Sequence, residues 1–168
     1  NVTQDDTDYP SFWGRVGPTW VDQQHHLTAR LGGSFATGTA VAAMADPTSP
    51  SVSYTFWRYG ADLEIDAPWL FFAAEYLMGS DEPRGGAAVD KRGFYVLAVA
   101  KTAWHAGPVL RYEQYDPSTE TDDDRGQRVT LGAYWDVAKP VRLLADYELD
   151  RSDKRKDDQF LLFGQVKF

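Results

Sequence analysis

Cysteine is absent from the 168 residues, which excludes disulfide staples and thiolate metal sites. Long apolar runs are absent too: the longest, Phe94 to Ala100, is far below the roughly 18 residues that a membrane-spanning helix needs. No basic-then-apolar stretch of the signal-peptide kind occurs near Asn1. Base is scarce beside acid, since 17 Lys and Arg face 25 Asp and Glu for a net charge of -8, and phosphate backbones need clustered cations. No nucleic-acid partner is expected. The three histidines are badly placed for a metal: His25 and His26 sit beside a turn with their rings on opposite faces, and His105 lies in another turn. Ser, His and Asp occur without a nucleophile motif, and no glycine-rich phosphate loop follows a strand. Enzyme activity, catalytic residues, cofactors and metals are therefore not expected.

What the chain has is aromatic side chains, 14% of it with Trp 6, Tyr 9 and Phe 9, and a period of two. The last stretch shows the period best. Phe160, Leu162, Gly164, Val166 and Phe168 fall on one face, and Gln159, Leu161, Phe163, Gln165 and Lys167 on the other. Residues 1 to 10 are polar and acidic and read as a loop. Strands are expected at about 12–21, 27–35, 54–65, 69–78, 91–103, 109–116, 128–137, 141–150 and 158–168, with Pro18 counting against the first. About nine strands of roughly ten residues result, the length with which a tilted strand crosses a bilayer. One domain over 1–168 is the expectation.

The connections alternate in length. Residues 22–24, 66–68, 104–107 and 138–140 are short, whereas 37–52, 79–90 and 117–126 are long and 151–157 is intermediate. Short turns at one end and longer loops at the other are the asymmetry of an outer-membrane barrel. Ala40 to Ala45 reads as a helical turn or a constriction loop. Trp20, Trp69, Trp104, Trp135 and Phe168 fall at the short-turn end, where an aromatic belt meets the lipid interface, and Tyr54, Tyr115, Tyr147 and Phe160 gather at the other. The fold class expected is all-β, an antiparallel transmembrane β-barrel. A soluble lipocalin-like barrel would alternate as well, with its apolar face inward, and periodicity alone does not separate the two.

The phrases Gly60-Ala-Asp-Leu-Glu-Ile-Asp-Ala-Pro-Trp-Leu-Phe-Phe-Ala-Ala-Glu-Tyr-Leu-Met-Gly79, Arg92-Gly-Phe-Tyr-Val-Leu-Ala98, Val109-Leu-Arg-Tyr-Glu-Gln-Tyr-Asp-Pro117 and the closing hairpin resemble the C-terminal half of the phosphate- and pyrophosphate-selective porins. The likeness runs from about Trp13 onward and lies in short strand phrases. It implies a sixteen-stranded, usually trimeric channel of the Gram-negative outer membrane, of which this chain supplies only part of the barrel. An odd strand count points the same way, because complete bacterial barrels normally have an even one. Without the 12–21 strand, a closed eight-stranded barrel would remain. In that family a basic ladder selects anions, and its constriction loop belongs to the half that this chain does not match.

Taking the polar faces as the lumen, the basic lining is Arg15, Arg30, Arg58, Lys101, Arg111, Arg128, Arg142 and Lys167. The acidic lining is Asp62, Glu64, Glu75, Glu113, Asp136, Asp146, Glu148 and Asp150. Opposite charges on adjacent strands brace a wall and lower each other's desolvation cost, while a line of guanidinium groups could pass anions along. Asp122-Asp123-Asp124 could attract calcium or bridge lipopolysaccharide, although such a run is usually a solvated loop. The functional expectations are a passive channel for small hydrophilic or anionic solutes, a structural barrel sheathing or anchoring a partner protein, or a soluble ligand-binding barrel. Lipid bilayer and lipopolysaccharide are the expected surroundings.

Overall fold

A computed structural model of the chain describes residues 11–42, 52–121, 124–151 and 158–166. Its regular structure is entirely β: β1 (Phe12–Val16), β2 (Thr19–Asp22), β3 (Leu27–Ala42), β4 (Val52–Asp66), β5 (Leu70–Pro83), β6 (Val89–Ala100), β7 (Ala106–Asp116), β8 (Gly126–Ala138), β9 (Val141–Asp150) and β10 (Gln159–Val166). Every pairing is antiparallel, and from β3 onward each strand pairs with the next in sequence.

The first two strands are one strand with a break. Val16 opposes Gly33 and Thr19 opposes Arg30, so a single register runs through both. Pro18 has no N–H to give the ladder, but its carbonyl accepts from the Leu31 amide at 3.2 Å and holds the register across the gap. The proline that weakened the sequence reading interrupts the strand without ending it. Ten assigned segments thus make nine transverse strands.

Several strands run further than their sequence signals. β3 continues through the small residues to Ala42, so the expected connection from Thr37 loses its first half, and the rest of the proposed helical turn or constriction loop lies outside the described residues. The long loop read over 79–90 shrinks to 84–88, because β5 pairs as far as Asp81 with β6 and as far as Pro83 with β4. Turn-forming residues there were overruled by two flanking ladders. β7 begins at Ala106, which puts Pro108 inside a strand opposite Ala133.

The sheet is a single layer and is not closed. β1–β2 and β10 are its two edges, and they run in the same direction because an even number of reversals separates them. Joined directly, they would make a parallel pair. Among the described residues nothing packs against either face, and only Ala67 and Tyr134 are buried hydrophobics. An ordinary soluble domain of this size builds a core of many such side chains. The ladder hydrogen bonds and lateral side-chain contacts of the sheet carry this one.

Candidate functional site

Register sorts the side chains into two faces. Leu31, Leu110, Leu131, Leu143, Leu162 and Val166 share one face and are 40–70% exposed. Arg128, Glu113 and Asp150 lie side by side on the other, since Glu113 opposes Arg128 and Arg128 opposes Asp150. With no layer over them, the side chains of this second face are still mostly half-buried, and Thr130 and Tyr134 are buried. The grooves of the sheet open on this charged face, and side chains converge on a concave side and splay on a convex one, so the charged face is the concave one. The apolar side chains thus lie on the convex face and the charged ones on the concave face.

The charged face is a set of cross-strand pairs. Arg15 reaches over β3 to Asp62, with Nη2 at 2.5 Å and Nε at 3.1 Å from its two oxygens. Gly32 lies beneath that bridge, and a Cβ there would run into both partners. Arg30 pairs with Glu64, directly opposite it. Arg58 lies over Gly79, donates to the carbonyls of Trp57 and Ser80 at 2.7 and 2.8 Å, and pairs with Asp81. Asp81 takes a second cation, the Lys91 ammonium at 2.5 Å.

Further along, Arg111 pairs with Glu113 at 2.6 Å and stacks over the Tyr95 ring at 5.2 Å. Arg128 stands among three carboxylates, 3.6 Å from Glu113, 3.5 Å from Glu148 and 3.8 Å from Asp150. Arg142 grips Asp136 with two bonds of 2.6 and 3.0 Å while its guanidinium covers the Tyr134 ring at 4.8 Å. Pairs this exposed contribute at most about 1 kcal/mol each. Their larger effect is to let charges share a surface that bends them together.

No known protein family, curated protein or solved structure matches this chain. The face has to be read from its own chemistry. Among the described residues no group of three metal-ligating side chains converges, and His25 instead approaches Asp22 at 2.7 Å within its turn. The Asp22 carboxyl is held below the usual carboxylate range first by that ring contact and then by the backbone amides of His25 and Gln24.

The residues expected to line a lumen do lie together on the concave face, with two exceptions. Lys101 follows β6, where its ammonium joins Asp66 and the Ala67 carbonyl and ties one short turn to the next. It belongs to the rim. Lys167 and Phe168 lie outside the described residues, as do Asp122 and Asp123. Three charged groups of this face were missing from the reading: Asp66, Asp81 and Lys91. Counting on in twos from Glu75 reaches Asp81, had the loop signals at 79–90 not stopped the count.

The aromatic girdles need one correction. Trp20, Trp69, Trp104 and Trp135 stand 52–84% exposed on or beside the short-turn end. At the other end Tyr147 and Phe160 face outward as expected, but Tyr54 and Tyr115 share the charged face, because each is an even step from Arg58 or Arg111. Trp57 and Tyr59, whose rings sit 5.2 Å apart, take the outward places instead. The convex face also carries charge at that rim, where the buried Asp116 takes Arg92 at 3.1 Å and Arg125 at 3.7 Å.

The concave face is not charged throughout. Phe71, Leu97 and Val99 point the same way as the ion pairs, toward the short-turn end, and border a groove of about 590 Å³ rimmed by Lys101, Asp136 and Arg142. Closer to the loop end, Glu75, Tyr95, Arg111 and Arg128 border a second groove of about 380 Å³.

Proposed function

We propose that this sheet forms part of the wall of a porin-like outer-membrane channel, through which small hydrophilic solutes diffuse. One observation carries the reading: the apolar side chains occupy the convex face uncovered, while paired charges occupy the concave one. In water such a face would be an aggregation surface; in hydrocarbon it is the low-energy choice, because strands bonded to neighbours need no solvent for their backbone. Tryptophans at the strand ends fit the polar boundary of the bilayer. The charged side would then meet enclosed water, as in channel-forming barrels. Since the two edges run in the same direction, an all-antiparallel channel that includes these nine strands takes an odd number of others. The likeness to phosphate-selective porins fits this reading, with the chain as one part of a larger barrel set in lipid and lipopolysaccharide.

A second reading has its own support. Phe71, Leu97 and Val99 make a patch on the concave face that water would not favour, which suits a barrel sheathing or anchoring a partner protein. Conductance separates the two. The protein is purified in detergent and inserted into planar bilayers; stepwise currents support a channel, and their absence despite verified insertion removes it and leaves the sheath.

A further inference from the structure

We infer that the concave wall favours small cations over anions, a statement that rests on the channel reading and sharpens it. A ladder of arginines conducts anions when the guanidinium groups have nothing else to hold. Here each of them does: every Arg and Lys of this face among the described strands lies within 4 Å of a carboxylate. Arg58 and Arg142 are engaged further by carbonyls and an aromatic ring. An entering anion would have to compete with a fixed carboxylate for each of them.

The acids are not used up in the same way. Glu75 and Asp146 make no ion pair or hydrogen bond to a described residue. Glu75 stands directly opposite Asp62, whose charge Arg15 already takes, and Asp146 is one step along the face from Glu148, which shares Arg128 with two other acids. Asp146 also lies over Gly132, where a Cβ would strike its carboxylate, so no neighbouring side chain covers it there. Like charges facing one another across a sheet are unfavourable unless a counter-ion lies between or above them. Among the described residues no cation lies within ion-pair distance of either carboxylate, so the compensating charge is drawn from the water of the lumen, as mobile cations. Two carboxylates in excess over the paired bases of the described strands set the sign of the potential that a passing ion meets.

The test is the reversal potential of the purified full-length protein in planar bilayers under a potassium chloride gradient. The expected result is a potential on the cation-selective side, moved toward zero in E75Q/D146N and by part of that amount in each single variant. Raising the salt on both sides should weaken the preference, because screening shortens the reach of fixed charge. Resistance of the unheated protein to denaturation on a gel shows that the variants are folded. An anion-selective potential, or a cation-selective one that the variants leave unmoved, overturns the inference while keeping the channel. No conductance at all sinks the channel reading itself.

Discussion

Arg15 and Asp62 meet across an intervening strand, and Gly32 is what lets them. Their strands are not neighbours, so the bridge passes over β3 at a residue without a side chain. A methyl group added there meets only the ends of two flexible side chains. Gly32→Ala is expected to displace the ion pair and cost about 1 kcal/mol or less. Gly17→Ala, where the methyl would meet the Leu31 carbonyl and the Gly32 backbone, leaves nothing able to yield and is expected to cost about 1–3 kcal/mol. Urea unfolding of the two variants in lipid vesicles, followed by tryptophan fluorescence, checks the order.

Leu131 sits mid-strand on the convex face of β8. If that face meets lipid, Leu131→Arg destabilises by about 2–4 kcal/mol, the cost of a cation near the bilayer midplane. An exposed position facing water would change by roughly 0.5 kcal/mol or less. The same unfolding assay in vesicles distinguishes the two values.

The Arg142 guanidinium combines a two-bond grip on Asp136 with a face laid over Tyr134. Lysine has neither the fork nor the flat surface. Arg142→Lys is therefore expected to lose nearly as much stability as Arg142→Ala, on the order of 1 kcal/mol. A double-mutant cycle with Asp136→Asn should return a coupling of about 0.5–1 kcal/mol, and a coupling near zero would show that the pair contributes nothing.

Asp22 closes the 22–27 turn by accepting from the ring of His25 and from the amides of His25 and Gln24. Its folded-state pKa is lowered, so its contribution is fully present above the unfolded carboxylate value of about 3.9 and is lost as pH falls through the lower folded value. Amide exchange at Gln24 and His25, corrected for intrinsic rates, should speed up across that acidic window. In Asp22→Asn the window should vanish.

Much of this was legible in the period of two, and the reasons for the rest are physical. Alternation placed Arg128, Thr130 and Asp136 on one face of β8 and Leu131 and Trp135 on the other, because a pleated strand cannot do otherwise. Which residues pair was not legible: Arg15 finds Asp62 only because β3 lies between them with a glycine, a fact of register and not of spacing. Strand ends were underestimated at Gly79 and Thr37, where small and turn-forming residues belong to ladders held from both sides. The missing core follows from a different cause. Composition counts hydrophobic residues without saying what they face, and here Leu31, Leu110, Leu131, Leu143 and Leu162 lie uncovered on the convex face.

The convex apolar face is expected to lie against lipid. With no native cysteine, single cysteines can be placed along β8 from Arg128 to Trp135, spin-labelled and measured in vesicles for collision with oxygen and with a water-soluble nickel chelate. Oxygen accessibility is expected at Val129, Leu131, Ala133 and Trp135, alternating with nickel accessibility at the positions between. Nickel reaching Leu131 as readily as its neighbours, or neither reagent reaching it, would contradict that expectation.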